Sequence, residues 1–179
     1  MALKPTIYKF SIDLADLERD NYQALELTVA LHPSETLERM AARVLAFCYN
    51  ADERLQFGRG LSTADEPDVW QHNLDGSIKL WLEVGEPIAE RIKKACHRAD
   101  QVRVYSFNSK SGTWWQKVGE EYASLPVAVW VFDPAQIRSF AKLIGRTTDC
   151  AVTLSATTAW VAIAEQTIEI DCRQLQSSA

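Results

Sequence analysis

The order of predicted strands and helices constrains the fold of this chain more than any single motif does. Alternating apolar and polar residues predict strands over residues 6–14 and 24–30, and three more strands follow between residues 150 and 171. Between these ends, predicted helices alternate with apolar strands over residues 102–107 and 127–132. Such an alternation is typical of α/β proteins whose strands pair in parallel across helical connections.

We therefore predict an α/β fold with a three-layer core over about residues 33–146, in which helices cover a mixed central sheet. The terminal strands, within about residues 6–31 and 149–172, should pair in an additional antiparallel sheet. A chain of 179 residues with 47% hydrophobic content can bury one sizeable core, so residues 1–179 are expected to form a single domain.

Helix-start signals place two of the helices. Ser34 is a candidate N-cap, with Glu35 in the favourable first turn of a helix that ends near Asn50. Pro87 is expected to open another helix, because the N–H that proline lacks would have no partner there. The sequence contains no P-loop or G-x-G-x-x-G motif, so it does not indicate nucleotide binding by those routes.

Composition argues against several classes of protein. The chain has no run of 18 or more apolar residues and no apolar stretch near its N-terminus, so we expect neither a membrane partner nor a secretory signal. The net charge of −5 does not favour broad electrostatic binding of nucleic acid. Four cysteines form no C-x-x-C pair and are expected to be reduced, buried thiols in a cytoplasmic protein: Cys48, Cys96, Cys150 and Cys172.

An acidic segment carries the strongest functional signal. Residues 66–84 are predicted to form a β-hairpin with acidic side chains on facing strands. If His72 pairs with Ser77, Glu66 falls opposite Glu83 on one face of the hairpin.

Asp68 would then lie one diagonal step from Glu83 on the same face. Facing carboxylates repel one another unless they are solvated, protonated or bridged by a cation. The hairpin therefore predicts either a site for Mg²⁺ or Mn²⁺ or a solvated acidic face.

A basic stretch follows the acidic hairpin. Its side chains are candidates for contacts to a phosphate backbone, or for a solvated charged face: Arg91, Lys93, Lys94, His97 and Arg98. Arg39, Arg54 and Arg59 could clamp phosphates or pair with the nearby acids, and the sequence does not separate these two roles.

Several segments resemble the bacterial YaeQ family over nearly the whole chain. The resemblance is carried by Leu80-Trp81-Leu82-Glu83-Val84-Gly85 and by residues 32–40, 51–57, 65–67 and 91–95. That family is cytoplasmic and functionally uncharacterised. Its members look like a variant of the PD-(D/E)XK fold, the architecture of restriction endonucleases.

The resemblance implies roles for particular acids. Pro67-Asp68 matches the Pro-Asp of the nuclease motif, and Glu83 matches its second acid, so both are expected to bind Mg²⁺ or Mn²⁺. Glu66 could assist them, and Glu38 resembles the extra acid that many such enzymes place near the metal.

The motif's lysine should stand at position 85, where this chain has Gly85. Some variants of the fold move the lysine to the following helix, where Lys93 or Lys94 could supply it. Arg91, Arg39 and Arg59 would then contact the substrate.

Three functional hypotheses follow. The first is a Mg²⁺- or Mn²⁺-dependent phosphodiesterase acting on nucleic acid. The second is a non-catalytic module that keeps the nuclease fold for binding and has lost its chemistry with the lysine. The third is a domain for a small molecule or a protein partner, which the acidic net charge mildly favours.

Overall fold

The computed structural model describes residues 4–178. Within them the strands are β1 (Thr6–Asp16), β2 (Asn21–Leu31), β3 (Gln56–Phe57), β4 (Val69–His72), β5 (Ile78–Val84), β6 (Ala99–Ser106), β7 (Val127–Phe132), β8 (Thr147–Ser155), β9 (Thr158–Ile163) and β10 (Gln166–Gln176). The helices are α1 (Leu37–Tyr49), α2 (Ala89–Arg98), α3 (Ser111–Ala123) and α4 (Pro134–Leu143), and a single 3₁₀ turn spans Gly60–Ser62.

In the described residues the strands form one large mixed sheet in the order β2-β1-β8-β9-β10-β7-β6-β5-β4-β3. Strands β5, β6 and β7 run parallel to one another, and β4 and β3 extend them antiparallel. At the other end β1 pairs antiparallel with β2 and parallel with β8. The predicted α/β class and mixed sheet are confirmed.

The N- and C-terminal strands pair with one another as predicted, but they form neither a separate sheet nor a purely antiparallel one. Strand β10 is 11 residues long, whereas its neighbour β9 has only six. Residues Gln166–Asp171 pair with β9, and the part of β10 from Cys172 onwards pairs with β7. This shared strand joins the two groups, and the parallel β1–β8 pair makes the terminal strands mixed.

Helices pack on both faces of β5, because side chains alternate along the strand. Leu80, Leu82 and Val84 belong to the core cluster that contains α1 and α4. Trp81 points the other way, into the cluster formed with α2 and α3. Glu83 lies two residues after Trp81 and therefore faces α2, which determines where the candidate site forms.

Helix α1 begins two residues later than predicted. Its N-cap is Thr36, whose hydroxyl accepts a hydrogen bond from the backbone N–H of Arg39 at 3.2 Å. Ser34 instead binds the ring nitrogen of His32. As a result Glu35 stands ahead of the helix, where its side chain can turn back toward α1.

The cysteines are free thiols, and three of them are buried as predicted, while Cys96 is half-buried. Among residues 4–178, no helix combines the length and the apolar character needed to cross a membrane.

Candidate functional site

The β4–β5 hairpin forms as predicted but in a different register. Val69 pairs with Leu82, and further along a bulge shifts the pairing by one residue. The turn is also one residue longer than predicted. In this register the position opposite Glu83 falls to Asp68. The prediction that Glu66 faces Glu83 is wrong, whereas Asp68 and Glu83 do come together.

Both carboxylate oxygens of Asp68 are bound by nitrogen donors. Asp68 is buried just ahead of β4. Arg39 Nη2 donates to its Oδ1 at 2.6 Å, and the backbone N–H of Val84 donates to its Oδ2 at 2.7 Å. The second bond ties the segment before β4 to the end of β5. Arg39 supplies the opposite charge that a buried carboxylate requires.

Glu83 is the second buried carboxylate of the site. Its Oε1 accepts hydrogen bonds from Trp81 Nε1 at 2.9 Å and from Arg91 Nε at 2.8 Å. Burial raises the pKa of the Glu83 carboxyl above its ordinary value, and the charge of Asp68 raises it further, while Arg91 and Trp81 oppose the rise. Buried carboxyls with a raised pKa beside a second carboxylate are common in functional sites.

Arg39 is itself held in place by Glu35, a residue to which the sequence analysis gave no role at the site. Arg39 Nη1 donates to Glu35 Oε2 at 2.8 Å. Arg43, whose side chain is only 2% exposed, binds both oxygens of Glu35 and the carbonyl of Ala30. Arg39 and Arg43 are four residues apart on one face of α1, and Glu35, just ahead of the helix, turns back to bind both of them.

One nitrogen of Arg39 lies between two oxygen atoms at the end of the hairpin. Arg39 Nη2 donates to Asp68 Oδ1 at 2.6 Å and to the carbonyl oxygen of Val84 at 3.1 Å. Oxygen atoms of these types are the ligands that a divalent cation would need. The guanidinium therefore takes the place of a cation at this point.

Arg91 performs the same function for Glu83 from helix α2. Besides its bond to Glu83, it donates through Nη1 to the carbonyl of Ala64 at 2.7 Å and through Nη2 to the carbonyl of Glu66 at 3.2 Å. Arg91 thereby fastens the loop before β4 to α2. Bonds to described residues use three of its five N–H groups, which leaves two that could bind a ligand.

These side chains line an open cavity of about 300 Å³, which we call the carboxylate cleft. Its walls are Arg39, Leu61, Thr63, Ala64, Asp68, Glu83, Val84, Glu86, Pro87 and Arg91. Glu86 is a further acid that the sequence analysis missed. Among the described residues its Oε1 is buried and has no hydrogen-bond partner. Its position three residues after Glu83 was the only available hint.

Two predicted metal ligands lie apart from the cleft. The side chain of Glu66 turns to Arg59, accepting from its backbone N–H at 2.9 Å and lying 3.3 Å from its Nε. Arg59 is mostly exposed and does not line the cleft. Glu38 is half-buried on α1 and is not part of the cleft wall. The shifted hairpin register moves Glu66 away, and on this side of the cleft Glu35, not Glu38, binds Arg39.

The predicted substitute lysines also lie outside the cleft wall. Lys94 is mostly exposed and lies 3.4 Å from Glu90, one turn earlier on α2. Lys93 is exposed and lines a different cavity, together with Glu121 of α3. Both point away from the buried line of α2, which consists of Ala89, Ile92 and Ala95.

Gly85 occupies a backbone conformation that disfavours a lysine at this position. Its φ is +127°, in the region that side chains with a Cβ rarely adopt, and its N–H donates to the carbonyl of Tyr105 at 2.8 Å. An added Cβ would meet no described atom within 4 Å. Backbone strain, and not a clash, therefore opposes a larger residue at this position.

The donors around the cleft do not fit a divalent cation in the arrangement described. Mg²⁺ requires six oxygen ligands in near-octahedral geometry. Here Arg39 and Val84 bind the oxygens of Asp68, and Arg91 and Trp81 bind Oε1 of Glu83. Among residues 4–178, no group of three or more His, Cys, Asp or Glu side chains is arranged around a common point suited to a metal ion.

Comparison with known proteins gives consistent matches over almost the whole chain. The family model described as YaeQ protein matches residues 1–172. An uncharacterised YaeQ protein of Salmonella typhi is 42% identical over 172 residues, which is 95% of each chain. That of Escherichia coli strain K12 is 41% identical over 175 residues, which is 96% of each chain.

Two crystal structures share the fold. The YaeQ protein of Xanthomonas axonopodis pv. citri has a TM-score of 0.93 at 31% identity and covers 97% of this chain and 99% of its own. The YaeQ protein of Pseudomonas syringae has a TM-score of 0.92 at 34% identity and covers 97% of both chains.

Proposed function

The chain belongs to the YaeQ family, as the sequence indicated, and we propose that it is a non-catalytic module that binds the phosphodiester backbone of nucleic acid. The observation that carries this proposal is the pairing of both cleft carboxylates with arginines, Asp68 with Arg39 and Glu83 with Arg91. In a metal-dependent nuclease these carboxylates would have to be available to a cation.

Arg39 is not easily displaced from Asp68, because both side chains are largely buried. Removing one partner of a buried ion pair costs about 3–5 kcal/mol, because it leaves an uncompensated charge. Arg39 is also fixed by Glu35, which is buried against Arg43. A cation that bound to Asp68 would have to displace Arg39 from this network, and its binding would be weakened accordingly.

A basic group to activate water is also missing from the wall of the carboxylate cleft, apart from the two paired arginines. The strained backbone at Gly85 disfavours a lysine there, and Lys93 and Lys94 lie on the solvent side of α2. This arrangement supports the second hypothesis, in which binding persists without the hydrolytic step.

Helix α2 supplies the positive charge for binding. Its ten residues carry four lysines and arginines and one acid, whereas the whole chain has 19 basic and 24 acidic residues. A polyanion would therefore meet locally positive potential on α2 in spite of the net charge of −5. Phosphate contacts of this kind position a nucleic acid without reading its sequence.

We also propose that the chain has a variant of the PD-(D/E)XK fold, which the family resembles. Helices on both faces of the parallel strands β5, β6 and β7 support it, as does an acidic hairpin at their edge. Location in the cytoplasm is part of the same proposal.

Binding to DNA at several salt concentrations tests the proposal. We expect wild-type affinity to fall steeply with salt, and the double variant Lys93→Glu with Lys94→Glu to lower the slope of log affinity against log salt by about two. The matched control is Arg138→Glu with Lys142→Glu on α4, which makes the same charge change away from the cleft. Salt-independent or absent binding by the wild type would contradict the proposal and favour a small-molecule or protein partner.

A second candidate is the Mg²⁺- or Mn²⁺-dependent phosphodiesterase. Two observations favour it: the raised pKa of Glu83 beside Asp68, and the buried, unpaired Oε1 of Glu86 among the described residues of the same cleft. Both would be relieved by a bound cation.

Calorimetric titration with Mn²⁺ separates the two candidates. The phosphodiesterase predicts heat from the wild type that disappears in the Asp68→Asn, Glu83→Gln variant, together with cleavage of nucleic acid that requires the metal. The binding module predicts no such heat and no cleavage, with binding of DNA retained.

A further inference from the structure

A second cavity lies beside the carboxylate cleft and is not explained by it. Its volume is about 380 Å³, and we call it the α2 groove. The residues that matter for its chemistry are Trp81, Ile88, Arg91, Lys94, Ala95 and Arg98. Arg91 and Ala64 line both cavities, so the groove continues from the cleft along α2.

Apolar side chains line part of the α2 groove, between the charged residues Asp65, Glu90, Arg91, Lys94 and Arg98. The alanine side chains there are small, and Ile88 is 64% exposed, although it is a large hydrophobic residue. Trp81 forms the wall toward the sheet and is itself buried, with its Nε1 bonded to Glu83. A flat apolar group would therefore fit against this surface.

Arg98 provides a stacking surface at the groove. Its guanidinium lies over the Trp81 ring, 4.9 Å from the ring centroid, and its Nη1 donates to the carbonyl of Asp65 at 3.2 Å. These two contacts restrain the guanidinium beside Trp81. Nucleobases stack on arginine planes of this kind in single-stranded nucleic-acid sites.

Cations at the rim complement phosphate charge. Arg91 has N–H groups left over from its three bonds, and Lys94 pairs only with Glu90 in an exposed contact among the described residues. An exposed pair of this type contributes little and gives way readily to another anion.

We infer that the α2 groove binds one nucleotide of a single-stranded nucleic acid, with the base stacked on Arg98 and the adjoining phosphate at Lys94 and Arg91. This inference rests on the proposed function and adds that the bound form is single-stranded, because a duplex hides the faces of its bases. Stacking does not depend on which base is present, so the site distinguishes a nucleotide that carries a base from an abasic one, but not one base from another.

The test compares three ligands of equal length by fluorescence anisotropy: a labelled single strand of thymidylate, the same strand with abasic residues, and a duplex. We expect the thymidylate strand to bind about tenfold more tightly than the abasic strand, since base stacking contributes about this much or more. The duplex should bind no better than the abasic strand.

Arg98→Lys keeps the charge and removes the planar surface. It should abolish most of the preference for bases, so that the ratio of the two single-strand affinities falls toward one. Arg138→Lys on α4 is the matched control and should behave as the wild type. Lys94→Gln should weaken both single strands by the same factor, because it removes a phosphate contact.

The ratio of the two single-strand affinities does not depend on the fraction of protein that is folded, so a folding defect cannot imitate the result. Equal affinity for the thymidylate and abasic strands would overturn the inference and leave the proposed function standing. Retention of the full thymidylate-to-abasic ratio in Arg98→Lys would overturn the stacking role of Arg98. Failure of every ligand to bind wild-type protein would overturn the proposed function as well.

Discussion

The carboxylate cleft and the α2 groove are neighbours with Arg91 in common, yet their charges are used in opposite ways. In the cleft, buried acids and guanidinium groups neutralise one another through short hydrogen bonds. In the groove, Lys94 and Arg98 are exposed: Lys94 pairs with the exposed Glu90, and Arg98 donates to the carbonyl of Asp65. The comparison indicates that the cleft stabilises the fold at the hairpin, and that the groove offers charge to a ligand.

The largest effect is expected from breaking the cleft network. Arg39→Ala leaves Asp68 and part of Glu35 without their partner and should lower the free energy of unfolding by about 3–5 kcal/mol. Urea denaturation followed by circular dichroism measures it. Arg138→Ala, at an exposed arginine on α4, should change stability by less than about 0.5 kcal/mol. Similar values for the two variants would show that the ion pairs of the cleft do not stabilise the fold.

A smaller effect is expected at the position of the missing lysine. Gly85→Lys forces a side chain into a positive-φ conformation and should lower stability by about 1–2 kcal/mol. The control is Gly112→Lys on α3, where an added Cβ also meets no described atom and φ is not positive. Equal losses for both glycines would show that the backbone at residue 85 is not strained.

The pH dependence of stability provides a third test. The pKa of Glu83 is raised in the folded state, so the folded protein binds this proton more tightly than the unfolded chain does. Stability from this group is therefore present at low pH and is lost as pH rises through the raised pKa. The stability of the wild type relative to Glu83→Gln should fall over that range, as measured by urea denaturation at a series of pH values. A rise in this relative stability with pH would show that folding lowers the pKa of Glu83 instead of raising it.

The smallest change in stability is expected in the groove. Lys94→Gln breaks only an exposed contact with Glu90 and should alter the free energy of unfolding by less than about 0.5 kcal/mol. Thermal or urea denaturation of this variant and of Lys142→Gln should give indistinguishable values. A loss comparable to that of Arg39→Ala would mean that Lys94 also serves the fold.

Much of the fold was predictable, because local patterns determine the strands and helices. Alternation identified β1 and β2, and the apolar run at 127–132 identified β7. The last strand was predicted to end by residue 171, whereas β10 runs to Gln176, because Arg173, Gln174 and Gln176 break the apolar pattern where the strand pairs with β7. The order of the strands in the sheet therefore depends on pairing between distant parts of the chain, and local sequence patterns carry no information about that pairing.

The candidate site was predicted in part. Asp68 and Glu83 meet as expected, but the bulge between Gln71 and His72 displaced Glu66. Register depends on bulges that single residues do not signal clearly. The assignment of Arg39 and Arg91 to a substrate remains a prediction, and the structure adds that each already binds a cleft carboxylate.

The shared strand β10 has a consequence for biogenesis. It lies between β9 and β7 in the sheet, but the ribosome makes it after both. Until β10 has been synthesised, β9 and β7 have no strand between them, and each leaves an unpaired edge on its group of strands. Chaperone capture would be most useful in that interval, when those edges are available to neighbouring nascent chains.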